Sequence, residues 1–67
     1  MREWLKKLRE NADLSQSALA HTAGISQNYY CYIEIGERRP SVQVAKKIAE
    51  ALNFDWTLFF PDQENSA

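Results

Sequence analysis

The chain has 67 residues, 45% hydrophobic and 25% charged, with a formal net charge of −1 and a single cysteine. A chain of this size is expected to hold one small domain around one core, with no catalytic or ligand-sensing domain beside it. The apolar content argues against disorder, the apolar runs are too short for a membrane span or signal-peptide core, and one cysteine excludes an internal disulfide. A cytoplasmic protein held together by packing is the expectation.

The charges are unevenly placed. Residues 1–9 carry Arg2, Lys6, Lys7 and Arg9 against Glu3, and residues 26–47 carry Arg38, Arg39, Lys46 and Lys47 against Glu34 and Glu37. Glu50, Asp55, Asp62 and Glu64 gather without basic neighbours toward the end. A globule polarised in this way can present a basic face despite its acidic total.

The first predicted helix runs from about Arg2 to Asn11, with Trp4, Leu5 and Leu8 as its buried stripe and Lys6 and Lys7 facing water. After the polar connector Asn11-Ala12-Asp13, Leu14 stands as a hydrophobic staple ahead of Ser15, which caps a second helix. Leu19, Ala20 and Ala23 are its apolar positions, and Gly24 supplies the left-handed residue that ends it. Gln16 falls in its first turn, where exposed N–H groups and the helix dipole suit a phosphate. His21 lies on the polar side with no companion ligand and reads as a surface residue, so no metal site is expected.

Ser26 caps a third helix in which Tyr30 and Ile33 continue the buried stripe begun by Ile25, and Gly36 stops it. Two short helices joined by a glycine-containing turn are the arrangement that sets a second helix into the DNA major groove, although the same arrangement also serves as a plain helical corner. The outward face favours the first use. It carries Gln27, Asn28 and Tyr32, and side-chain amides make bidentate contacts to adenine. Tyr29 could reach a phosphate with its hydroxyl or serve the core with its ring. Cys31 lies toward solvent with no basic residue adjoining it in sequence, and reads as a small helix residue.

Pro40 bars Arg39 from helical geometry and Ser41 caps a fourth helix, so Arg38 and Arg39 are displayed on a stiff turn as candidate phosphate contacts. The fourth helix, about Val42 to Leu52, buries Ala45, Ile48, Ala49 and Leu52 and leaves Lys46, Lys47 and Glu50 outside. Asn53 can end it. Asp55 can then cap a last short helix through about Phe60, in which Trp56, Phe59 and Phe60 close the core. Leu58 points off that face, either as the seed of a two-fold dimer or as a stray surface leucine. Pro61 ends the helix and bounds a domain of residues 1–61, with 62–67 read as a frayed acidic tail.

These residues together resemble the phage lambda-repressor and Cro type of helix-turn-helix domain. The resemblance rests on Leu8-Arg9, Leu14-Ser15-Gln16, Leu19-Ala20, Ala23-Gly24-Ile25-Ser26, Ile33-Glu34, Gly36, Arg39-Pro40-Ser41 and Ile48-Ala49-Glu50-Ala51-Leu52, and covers about residues 4–60. It implies an all-α, compact five-helix bundle around a central helix-turn-helix. It further implies a structural ion pair between Arg9 and Glu34, and a Gln16 that contacts the DNA backbone and supports Gln27. Two positions depart from the family pattern: Tyr30 stands where an aliphatic residue is usual, and Ile35 where asparagine most often precedes the glycine.

No catalytic constellation is present, so neither an enzyme nor a cofactor is expected. The expectation is a sequence-specific DNA-binding transcriptional regulator, a repressor of phage, mobile-element or controller type that binds a two-half-site operator as a homodimer. Gln27, Asn28 and Tyr32 would read bases, and Gln16, Tyr29, Arg38 and Arg39 would hold the backbone. Double-stranded DNA is the expected partner, with no membrane and no small-molecule ligand. The alternative is a protein-interaction module or antitoxin on the same scaffold, gripping a partner protein through Tyr29, Tyr32, Ile35 and Leu58.

Overall fold

A computed structural model describes residues 1–61. Four α-helices, α1 (Glu3–Asn11), α2 (Gln16–Ala23), α3 (Gln27–Ile35) and α4 (Val42–Leu52), precede a 3₁₀ helix at Trp56–Phe59, and no strand occurs among the described residues. The predicted tail, residues 62–67, lies outside them.

Short polar residues set the helix starts. Ser15, Ser26 and Ser41 lie in extended geometry, and each accepts a hydrogen bond at its hydroxyl from the backbone N–H three residues on: Ala18 at 3.0 Å, Tyr29 at 3.1 Å and Val44 at 3.1 Å. Each bond satisfies one of the donors that a helix start leaves open. The ends of α2, α3 and α4 are left-handed residues, Gly24 at φ 72°, Gly36 at φ 90° and Asn53 at φ 60°. Gly24 makes the turn between α2 and α3. Its N–H donates to the His21 carbonyl, and the N–H of Ile25 reaches back to the Ala20 carbonyl at 3.0 Å.

α1 begins one residue later than predicted, because Arg2 carries its cap geometry without a side-chain cap bond. The last element differs in kind. Asp55 caps it by accepting from the N–H and hydroxyl of Thr57, at 3.0 and 2.8 Å, while Pro61 disfavours helical geometry at Phe60, which sits at φ −132°. Only four residues remain between these stops, enough for a 3₁₀ turn and too few for an α-helix. Among the described residues the expected five-helix bundle therefore consists of four α-helices with a 3₁₀ turn as its fifth helix.

One core joins all five elements. Leu5, Leu19, Ala20, Ala23, Tyr30, Ile33, Ala45, Ile48, Leu52, Phe59 and Phe60 form it, with Trp4, Leu8, Leu14, Ile25 and Trp56 packed partly buried around it. α2 packs on α3 and α4, α1 on α3, and α4 on the 3₁₀ helix. Trp4 meets Phe54 and Phe59 edge-on, with ring centroids 5.4 and 5.2 Å apart, so the start of α1 is seated on the residues that follow α4. Phe54 was not singled out in the sequence. It lies just beyond the Asn53 turn, outside any helical stripe.

At Gly24 an added Cβ would meet nothing nearer than the Lys47 Nζ at 3.8 Å, so the demand for glycine is one of backbone conformation alone. Gly24→Ala is expected to cost about 1–2 kcal/mol by urea unfolding, the penalty of a left-handed non-glycine residue, and Gly24→Asn less.

Candidate nucleic-acid interface

The third helix is placed by its buried side. Tyr30, Ile33 and Glu34 are almost fully enclosed, while Gln27, Asn28 and Tyr32 are exposed on the opposite side and Cys31 and Ile35 are half-buried. Gln27 and Asn28 occupy the first turn of α3, immediately after the Ser26 cap. Tyr32 is 46% exposed one turn later. Tyr29 is half-buried with its ring against the core.

Glu34 is a carboxylate only 2% exposed, and burial alone would raise its pKa. Arg9 of α1 donates through Nε to Oε2 at 2.8 Å and through Nη2 to Oε1 at 3.2 Å. Gln16 of α2 donates its amide N–H to Oε1 at 3.0 Å, and the Tyr30 hydroxyl donates to Oε2 at 2.7 Å. These bonds and the Arg9 charge outweigh burial and hold the carboxyl below its ordinary value. The same contacts raise Arg9, chiefly through its hydrogen bond to Glu34. Burial first, and the adjoining carboxylate second, push the Tyr30 hydroxyl well up, so it stays a donor. Arg9 also donates to the Leu14 carbonyl at 2.9 Å, tying down the α1–α2 connector.

This cluster contains the Arg9–Glu34 ion pair implied by the family resemblance. It also supplies the partner that the unusual Tyr30 hydroxyl requires. Gln16 is placed differently from its sequence reading: its amide faces Glu34, where support for Gln27 was expected. The second hydrogen of that NH2 group and the open N–H groups of the first turn of α2 are what it can offer a phosphate.

Beyond α3, Arg38 and Arg39 are exposed ahead of a buried Pro40. The Arg39 guanidinium lies over the Phe60 ring, 5.7 Å from its centroid. Lys46 sits over Trp56 at 5.2 Å, and Lys47 reaches toward the α2–α3 turn at Gly24. The helical spacing alone predicts no more than that these lysines face outward. Leu58 is 52% exposed, off the aromatic face of its turn. His21 is exposed, and among the described residues no three His, Cys, Asp or Glu side chains gather as a metal site.

An exposed amide-bearing first turn after a left-handed glycine, carried on two helices locked by a buried carboxylate, has the shape of a helix-turn-helix. The profile of the helix-turn-helix family HTH_3 matches residues 5–59. The chain belongs to this helix-turn-helix family. This is a family of helix-turn-helix transcriptional regulators, which is not enzymatic. The helix-turn-helix chain is 53% identical over 62 residues to YqaF of Bacillus subtilis, an uncharacterised HTH-type transcriptional regulator, covering 92% of this chain and 82% of that one. Over 49 residues it is 39% identical to the Mycobacterium tuberculosis regulators MT0491 and Rv0474, covering 73% of this chain but 35% of each of them.

Among solved structures, the SinR protein/SinI protein complex superposes with a TM-score of 0.79 at 25% identity, covering all of this chain and 67% of that one. An HTH_3 family transcriptional regulator from Vibrio cholerae gives 0.72 at 34% identity, over 91% of this chain and 34% of that one. No helix among the described residues is long and apolar enough to cross a membrane.

Because the folded-state pKa of Glu34 is depressed, the stability it contributes is complete above its ordinary value near 4.3 and is lost as pH falls through the lower folded value. Urea midpoints measured from pH 6 down to pH 2.5 should therefore fall, and Glu34→Gln should flatten part of that fall while lowering stability at neutral pH. Arg9→Ala leaves the buried carboxylate without its counter-charge and should cost about 3–5 kcal/mol, a large share of a small domain's stability.

Proposed function

We propose that this helix-turn-helix protein is a repressor that binds, as a homodimer, an operator of two half-sites about one helical turn apart. The observation that carries the reading is the placement of Gln27 and Asn28. Both are exposed on the first turn of α3, while Tyr30, Ile33 and Glu34 of the same helix are locked inside. In the major groove, these two amides and the Tyr32 hydroxyl are the groups that read bases.

The backbone contacts belong to Gln16 at the start of α2, the Tyr29 hydroxyl beside the reading face, and Arg38 and Arg39 beyond α3. Phe60 beneath Arg39 supports this role, since a guanidinium resting on a ring loses less freedom when it meets a phosphate. Leu58, a large apolar side chain turned away from the core, is the seed of the two-fold contact. A repressor that acts by occupying its operator needs only this reading head and that contact.

A second reading is a protein-interaction module or antitoxin using Tyr29, Tyr32, Ile35 and Leu58. The likeness to a SinR protein/SinI protein complex supports it, since that structure holds two different proteins. A salt titration on random duplex separates the two: a DNA binder loses affinity steeply with salt, and an interaction module binds little at any salt.

Selecting duplexes from a random pool and then testing variants on the selected sequence checks the assignment. Gln27→Ala should lose about 1–3 kcal/mol of preference at one base pair. Arg38→Ala should weaken binding to selected and random duplexes alike and reduce the salt slope by about 0.9. Equal losses on both duplexes for Gln27→Ala would count against base reading. Separately, Leu58→Lys should shift the sedimentation equilibrium of the free protein toward monomer, and an unchanged mass would remove Leu58 from the dimer contact.

A further inference from the structure

The C-terminal end of α3 holds no basic residue in its last turn, although a helix end of that polarity favours one. A cation arrives there from the other end of the sequence. The Arg2 guanidinium donates to the Ile33 carbonyl, and through the same nitrogen to the Arg38 carbonyl at 3.2 Å. Its backbone N–H donates to the Glu34 carbonyl at 2.7 Å, and its side chain lies over the Phe59 ring, 5.6 Å from the centroid.

The carbonyls of Tyr32, Ile33 and Glu34, near the end of α3, each have a donor. Tyr32 accepts from the N–H groups of Glu37 and Arg38 at 2.9 and 3.1 Å, Ile33 accepts from Gly36 and Arg2, and Glu34 accepts from the Arg2 backbone. Arg2 therefore supplies two of these bonds and ties the helix end to the following loop and to the 3₁₀ helix. Its guanidinium is partly buried and close enough to Arg39 for both burial and that like charge to lower its pKa.

We propose that Arg2 is a positioning residue for DNA recognition: it fixes the C-terminal end of α3 and the Arg38–Arg39 loop relative to one another, so that base-reading and phosphate-holding groups meet the duplex in register. The proposal rests on the reading of α3 as the recognition helix. Arg2 acts through Ile33 and Arg38 carbonyls and does not itself touch DNA. Its removal changes how well the two sets of contacts can be made together, which is a loss of selectivity.

The test compares wild type with Arg2→Ala, Arg2→Lys and, as a charge control on the exposed side of α1, Lys7→Ala. Binding to the selected duplex and to a random duplex of equal length is measured across a salt series, at a temperature where urea titration shows every variant folded. Arg2→Ala should lower the selected-to-random preference by roughly tenfold, the scale of one charge-assisted hydrogen bond, with the salt slope unchanged. Arg2→Lys should restore part of the preference, and Lys7→Ala should keep it whole.

An unchanged preference in Arg2→Ala overturns the proposal. So does a uniform weakening with the slope reduced by about 0.9, which marks Arg2 as a phosphate contact. Hydrogen exchange of the Gly36, Glu37 and Arg38 amides in the free proteins reads the brace without DNA: faster exchange in Arg2→Ala supports it, and unaltered exchange overturns it. A wild-type chain with no preference among duplexes defeats the DNA reading itself, and the exchange result tells that failure apart from failure of the brace.

Discussion

The structure depends on a carboxylate that has almost no access to water. Glu34 can remain ionised inside a bundle of this size only because Arg9, Gln16 and Tyr30 bring it donors, and those three side chains come from three different helices. A buried charge whose partners all hydrogen-bond to it tolerates little displacement. The relative placement of α1, α2 and α3 is therefore fixed by directional bonds as well as by the nondirectional packing of leucine, alanine and isoleucine.

That constraint acts on the helix whose outer face is proposed to meet DNA. Glu34 and Tyr30 lie on the same helix as Gln27 and Asn28, one side turned in and the other out. Tyr30 fills a slot in which a smaller aliphatic residue is usual in the family, and its added hydroxyl is absorbed by the same carboxylate. The larger side chain thus enlarges the polar network without leaving a buried group unsatisfied, and among the described residues no buried side-chain nitrogen or oxygen lacks a partner.

Much of this was legible in the amino-acid sequence, for local reasons. Ser15, Ser26, Ser41 and Asp55 cap because a short side-chain oxygen next to an apolar periodic run has few other uses, and Gly24, Gly36 and Asn53 end helices because they accept positive φ. The apolar spacing in α4 points to the residues that are buried, Ala45, Ile48, Ala49 and Leu52. What could not be read are contacts between residues distant along the chain, where no periodicity links the partners. The Arg2 bond to the end of α3, the Gln16 bond to Glu34, and the seat of Phe54 against Trp4 are of this kind. The 3₁₀ geometry at Trp56–Phe59 was missed for another reason: the aromatic spacing suits both kinds of helix, and only the distance between Asp55 and Pro61 decides. For the outer face of α3, the sequence pattern identifies the outward residues, but the cationic side chains resting on Phe60 and Trp56 emerge only in three dimensions.

The edge-on meeting of Trp4 with Phe59 joins two segments separated by nearly the whole described chain. Closing so long a loop is entropically costly, and the contact returns that cost only when both ends are in place. The extremities consequently behave as one cooperative latch. Displacing Phe59 would remove at once the ring that Trp4 meets and the ring over which the Arg2 side chain lies.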